Sequence, residues 1–130
     1  MFPNSRYSFS KLDTVAVASF SVETLSNMAW LAGGSGYNLL GFYIHDVRVE
    51  DQKGLQRKGT YCPVMLENLT DPIITGREEL GVLKLYSDVD IEESDNTCSV
   101  KISWRGNVYE QLSWQQLTPK GPTKTEGARV

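Results

Sequence analysis

Apolar and polar residues alternate with a period of two along most of the chain, the pattern of half-buried β-strands. The longest such stretch is Tyr37–Glu50. One of its faces carries Leu40, Phe42 and Ile44, and the other carries Tyr43, His45 and Val47. Because both faces hold large apolar side chains, the stretch predicts a long strand that is buried on both sides.

A hairpin is predicted to follow this strand. Residues 51–54 (DQKG) supply turn chemistry, and residues 59–67 (GTYCPVMLE) return to an extended pattern. Pro63 has no N–H to donate to a neighbouring strand, so we expect it at an edge, a bulge or an unpaired position.

The N-terminal third predicts one strand and one short helix. Residues 14–20 are rich in valine at alternate positions, which favours an extended segment. Ser21 then offers a helix cap, and Val22, Leu25 and Ala29 recur at helical spacing before a glycine-rich loop. The pattern predicts a helix of two to three turns.

The C-terminal half predicts a turn at Asp71-Pro72, a polar segment bracketed by glycines at 76–81, and a strand over residues 83–91. In that strand Leu83 and Leu85 share the apolar face, and Lys84 lies among polar neighbours on the opposite face. A second hairpin is predicted over 98–104 and 108–114. Its apolar face would carry Cys98, Val100, Ile102 and Trp104.

Composition narrows the class of protein. With 130 residues and a mass of 14.6 kDa, the chain predicts one β domain over residues 1–117 and a flexible tail over 118–130, which has no apolar pattern. A formal net charge of −3 argues against a nucleic-acid partner. Cys62 and Cys98 have no metal-ligand spacing, so we expect free, buried thiols and neither metal nor cofactor. No signal peptide or membrane span is recognisable, and we expect a cytoplasmic protein.

One charged cluster stands between apolar strands. Arg77, Glu78, Glu79 and Lys84 fall within the nine residues 76–84, where cation and carboxylate groups could converge at the mouth of a barrel. The alternative interpretation is that residues 76–84 form a solvated charged loop without a function.

The runs 59–68 (GTYCPVMLEN) and 71–81 (DPIITGREELG), followed by Lys84-Leu85, resemble the acetoacetate decarboxylase family. The resemblance implies a mainly β, antiparallel cone or half-barrel with one short helix. It also implies that Lys84 corresponds to the lysine that forms a Schiff base with a β-keto acid. The chain departs from that pattern at Leu83, where the family has proline, and at Leu85, where it has a second lysine.

Three functions are compatible with these residues. The first is cyclisation of a β-keto or polyketide-type substrate of secondary metabolism, such as pyrone formation, with Glu78 or His45 as base and Arg77 and Lys84 as electrostatic partners. The second is Schiff-base decarboxylation through Lys84. The third is a non-catalytic binding module on the same scaffold.

Four of the candidate site residues, three tyrosines and one histidine, could instead have a purely structural role. Tyr43, Tyr61 and Tyr86 are candidate substrate-binding residues that packing alone would also explain, and a lone histidine such as His45 is often structural. Because members of the family are about twice as long, a homodimer is expected to cover the open strand edges, unless the chain is part of a longer protein.

Overall fold

The computed structural model describes residues 6–9, 16–28, 35–118 and 120. This part of the chain forms eight strands and one helix in two sheets that do not close into a barrel. The strands are β1 (Tyr7–Phe9), β2 (Ala18–Leu25), β3 (Tyr37–Glu50), β4 (Gln56–Glu67), β5 (Lys84–Tyr86), β6 (Asp88–Ser94), β7 (Thr97–Trp104) and β8 (Asn107–Trp114), and the helix is α1 (Thr70–Glu78). The predicted mainly β class with one short helix is confirmed.

The first sheet is built around β3, which has the predicted bounds. β1 and β2 both pair antiparallel with β3, β4 pairs antiparallel with it, and β5 adds to β4 in parallel at the end of the sheet. Leu39, Leu40, Ile44 and Val47 are all buried, so the prediction of a strand with apolar side chains buried on both faces is confirmed.

The hairpin between β3 and β4 follows the local chemistry of its residues. Asp51 Oδ1 accepts hydrogen bonds from the backbone N–H groups of Lys53 and Leu55, and Gly54 has a φ of 79°. Farther along, Phe42 pairs with Val64 and Ile44 pairs with Tyr61, so that two residues of β4, one of them Pro63, face one residue of β3. Of the edge, bulge and unpaired position that were expected for Pro63, the structure shows the bulge.

The second sheet has the order β6-β7-β8, and the main core lies between it and the first sheet. The predicted hairpin of β7 and β8 is confirmed, and both cysteines are free, with Cys98 buried and Cys62 half-buried. Leu40 of β3 packs with Val89, Cys98, Val100 and Ile102. Trp104 is 50% exposed, so it does not share the burial of Cys98, Val100 and Ile102 on the predicted apolar face: it ends β7 beside the turn and meets Tyr86 edge-on.

The predicted helix after Ser21 is wrong. Residues 18–25 form β2, which pairs with β3 from Ala18–Ile44 to Leu25–Tyr37. The spacing of Val22 and Leu25 is compatible with a helix or a strand. Pairing with the long neighbouring strand β3 favours the strand. Ala29 lies outside the described residues.

The helix lies instead at Thr70–Glu78, where the sequence predicted a turn and a polar segment. Pro72 falls in the first helical turn, where backbone N–H groups have no carbonyl partner within the helix, so a proline there removes no helical hydrogen bond. Only Pro72, Ile73 and Gly76 of α1 are buried. So narrow an apolar stripe is a weak helical signal.

The single strand predicted over residues 83–91 is also wrong, because the chain breaks at Ser87 and passes from one sheet to the other. Ser87 is fully buried: its backbone N–H donates to the Glu67 carbonyl, and its hydroxyl donates to the Ser103 carbonyl. Before the break, the buried and exposed faces of the strand are the reverse of those predicted: Leu83 is 49% exposed and Leu85 is 44% exposed. Lys84 is therefore turned towards the interior.

Of the predicted tail, all residues except Thr118 and Lys120 lie outside the described part of the chain. No helix in the described part is long and apolar enough to cross a membrane.

Candidate functional site

The centre of the site is an ion pair between Lys84 of β5 and Glu67 of β4. Lys84 pairs with Met65 in the parallel ladder, and Glu67 lies two residues beyond Met65 on the same face of β4. This register brings Lys84 Nζ to 2.8 Å from Glu67 Oε1. The parallel addition of β5 to β4 thus creates the pair.

The pair is withdrawn from solvent. The Glu67 side chain has no exposed surface, and that of Lys84 is 12% exposed. Apart from the lysine ammonium, no residue in the described part of the chain donates a hydrogen bond to either carboxylate oxygen of Glu67. A buried carboxylate with one neutralising partner and a free oxygen is costly for the fold, and such a group is a good candidate for chemistry.

Helix α1 covers this face of the sheet. Gly76 packs against the methylene chain of Lys84, and the Arg77 guanidinium donates from Nη1 to the Lys84 backbone carbonyl at 3.1 Å. Arg77, a predicted catalytic residue, is thus placed where it holds the backbone of β5. Glu78 is exposed at the last position of α1, and the carboxylate that reaches Lys84 is that of Glu67 instead.

Tyr43 of β3 lies on the same face of the sheet as the pair. Its hydroxyl lies directly above Gly41, in the space that a side chain at that position would occupy. Gly41 pairs with Met65 and Met65 with Lys84, so the hydroxyl and the lysine lie on one face, with the Gly41 and Lys84 backbones about 10 Å apart across two ladders. Burial raises the pKa of Tyr43 above 10.0, and Cys62, Glu23 and Glu67 raise it further, in that order. The phenol is therefore a hydrogen-bond donor at neutral pH.

The structure does not bring His45 to Lys84. Its ring nitrogens contact Ser19 Oγ at 2.8 Å and Thr60 Oγ1 at 3.3 Å. Thr60 and Met65 are five residues apart on β4, so His45 and Lys84 are separated by about 16 Å along the strand. His45 is a hydrogen-bonded link between strands β2, β3 and β4.

The two remaining predicted tyrosines have packing partners. Tyr61 lies in the middle of β4, four residues before Met65, with its ring 5.4 Å from that of Tyr7. Tyr86 is next to Glu67 in the ladder, but it is 40% exposed, meets Trp104 at 5.8 Å and donates its hydroxyl to Asp88 Oδ1 at 3.2 Å. Tyr43, in contrast, lies two ladders from Lys84, and the Glu67 carboxylate is among the causes that raise its pKa.

Glu67 is a candidate site residue that the sequence did not predict. It stands at the end of the apolar run 64–66, in a position that alternation assigns to a buried face. A carboxylate at the inner end of an apolar strand was the signal that could have found it.

An apolar cavity of about 340 Å³ lies on the other face of β4. Val64 and Leu66 line it together with Phe20, Phe42 and Leu112, whereas Met65 and Glu67 point the opposite way. The cavity is therefore separated from Lys84 by the sheet itself. No group of three or more histidine, cysteine, aspartate or glutamate side chains in the described ranges is arranged to hold a metal ion.

Comparison with known proteins agrees with this architecture. No curated protein matches the chain closely. The model of the family described as acetoacetate decarboxylase matches residues 11–129, nearly the whole sequence. The chain therefore belongs to the acetoacetate decarboxylase family.

Proposed function

We propose that the protein is an enzyme that acts on a β-keto or polyketide-type substrate at the Lys84–Glu67 pair. The proposed reaction is acid-base and electrostatic catalysis of cyclisation, such as the closure of a pyrone ring. The observation that carries this proposal is the 2.8 Å contact between the lysine ammonium and a carboxylate with no exposed surface. Family membership supports an enzyme-like scaffold for it.

The pair offers the two groups that enolisation requires. Glu67 removes a proton from the carbon between two carbonyl groups, and the electron pair of that C–H bond moves onto a carbonyl oxygen. The Lys84 ammonium stabilises the negative charge that develops there. The enolate oxygen then attacks the acyl carbonyl carbon, a C–O bond closes the ring, and the leaving group departs with the proton held by Glu67.

The electrostatic role of Lys84 follows from its partner. Imine formation requires an uncharged amine, whereas a carboxylate in contact with Nζ stabilises the ammonium by Coulomb attraction. Leu85 offers no opposing cation, and its side chain is 44% exposed on the side of the strand away from Lys84. We therefore assign Lys84 to charge stabilisation and Glu67, rather than Glu78 or His45, to proton transfer.

Schiff-base decarboxylation through Lys84 is the second candidate. Its support is the family match together with the position of the Lys84 side chain, which is 12% exposed and lies beside a carboxylate. In that reaction Glu67 would accept the ammonium proton before the amine attacks a β-keto acid.

The test measures lactonisation of a short β,δ-dioxo thioester by the wild type and three variants. Lys84→Arg keeps the charge and is expected to retain part of the rate. Lys84→Met is expected to lose about 2.7–4 kcal/mol of transition-state stabilisation, by analogy with deleting one oxyanion donor. Glu67→Gln is expected to be inactive because it removes the base, and Lys58→Met, on the exposed Lys58–Asp46 pair, serves as the control.

Borohydride trapping separates the two reactions. Wild-type protein is reduced in the presence of acetoacetate, and its intact mass is measured. No adduct is expected on Lys84. A reducible adduct, together with complete inactivity of both lysine variants, would establish the decarboxylase instead. Wild-type rates in every variant would show that Lys84 and Glu67 take no part in the reaction, and no turnover by any of the proteins, the wild type included, would leave a binding module.

A further inference from the structure

Gly76 occupies the point where helix α1 touches the reactive lysine. The residue is buried, and a Cβ atom at this position would lie 2.5 Å from both Cδ and Cε of Lys84 and 3.0 Å from its Nζ. Non-bonded carbon atoms pack at about 3.5–4.0 Å. Glycine is therefore the residue that lets the extended lysine side chain pass beneath the helix.

The helix is hydrogen-bonded to β5 and to the residues just before it. The Gly76 carbonyl accepts the Val82 N–H at 3.0 Å, and Arg77 Nη1 donates to the Lys84 carbonyl at 3.1 Å. These bonds hold the backbone of α1 close to the backbone of β5. The contacted atoms of Lys84, in contrast, are the distal part of a flexible side chain. A side chain at position 76 would therefore displace the lysine tip rather than the helix.

We propose that Gly76 is a positioning residue that holds the Lys84 ammonium against Glu67. Its importance for turnover rests on the function proposed above, but its effect on the ion pair does not. A methyl group at position 76 moves Nζ away from Oε1, leaves the buried carboxylate without its cation and exposes the amine. The identity of residue 76 thereby sets whether Lys84 acts as a buried charge or as an accessible amine.

The first test measures the accessibility of the amine without any substrate. Each protein is labelled with a trace of acetic anhydride, and acetylation of Lys84 is compared by mass spectrometry with that of the exposed Lys101. Gly76→Ala is expected to raise the Lys84 to Lys101 ratio severalfold. Gly59→Ala is the matched control, because a Cβ there meets nothing within 4 Å and its ratio should equal that of the wild type. An unchanged ratio in a folded Gly76→Ala protein would overturn the proposal.

The second test uses stability and applies even when one variant folds poorly. Gly76→Ala is made in the wild type and in a Lys84→Ala background, which removes the atoms that the new methyl group would meet. Because alanine is favoured over glycine within a helix, the substitution should raise the Tm in the Lys84→Ala background. In the wild type it should lower the Tm. The same sign in both backgrounds would contradict the proposed contact.

Activity then separates the two proposals. If labelling and stability behave as expected while the enzyme turns over none of the thioester, the positioning role stands and the proposed function fails. If the wild type is active and Gly76→Ala lowers kcat, both are supported. An active Gly76→Ala protein with wild-type kcat and a wild-type labelling ratio would overturn the positioning role alone, whereas wild-type kcat with a raised labelling ratio would show that turnover does not depend on the ion pair.

Discussion

Removing the cation from the buried ion pair should destabilise the fold far more than removing the same cation from the surface. Lys84 and Lys58 both contact a carboxylate oxygen, at 2.8 Å and 2.7 Å respectively. They differ in burial: the Lys84–Glu67 side chains are 12% and 0% exposed, and the Lys58–Asp46 side chains are 57% and 68% exposed. Burial is therefore the variable that the comparison isolates.

Lys84→Met keeps most of the apolar stem but leaves the Glu67 charge buried and without its described partner. Breaking a buried pair in this way costs about 3–5 kcal/mol, whereas an exposed pair contributes about 0–1 kcal/mol. For a domain of this size, the larger loss corresponds to a fall in Tm of roughly 12–20 °C. The double variant Lys84→Met/Glu67→Leu should recover most of the loss, since an apolar pair of similar volume commonly replaces a buried ion pair without cost.

The assay is equilibrium urea unfolding of the four proteins, wild type, Lys84→Met, Lys58→Met and Lys84→Met/Glu67→Leu, followed by circular dichroism. Equal losses of unfolding free energy for Lys84→Met and Lys58→Met would refute the reasoning, because burial would then have no effect on the cost of removing the cation. A double variant as unstable as Lys84→Met would refute it as well, since the loss would not come from the unpaired carboxylate.

Three further predictions concern titration, assembly and the C-terminus. The raised pKa of Tyr43 makes the folded state bind its proton more tightly than the unfolded state, so this contribution is present below pH 10 and is lost as the pH rises above it; Tyr43→Phe should flatten the fall in unfolding free energy between pH 9 and about 11. Because β5 ends its sheet with Leu83 and Leu85 half exposed, we expect sedimentation to give a dimer of twice 14.6 kDa, and a soluble species of 14.6 kDa would exclude it. Truncation after Thr118 should leave the Tm unchanged, since the Leu117 N–H still donates to the Asn96 carbonyl, and a large drop would show that the removed segment packs on the domain.

The elements that were predicted correctly are those determined by residues close to one another in the sequence. Alternation over Tyr37–Glu50 predicts β3 because successive side chains of a strand point to opposite faces. Asp51 bonds to the backbone two residues ahead and Gly54 adopts a positive φ, so the turn forms from its own side chains. Pro63 lacks a donor wherever it is placed, and a bulge is a local response to that lack. The resemblance in the 59–85 region also rests on neighbouring residues, and it proposes Lys84 as a candidate site residue.

The surroundings of Lys84 were decided by tertiary structure. The apolar leucines at 83 and 85 predicted a buried face, yet β5 lies at the end of its sheet and α1 covers the opposite side. Which face of an end strand is buried depends on what packs on it, and that partner comes from another part of the chain. Glu67 reaches Lys84 for the same reason: helix α1 separates them in sequence, and only the parallel addition of β5 to β4 sets the register that places the carboxylate beside the ammonium.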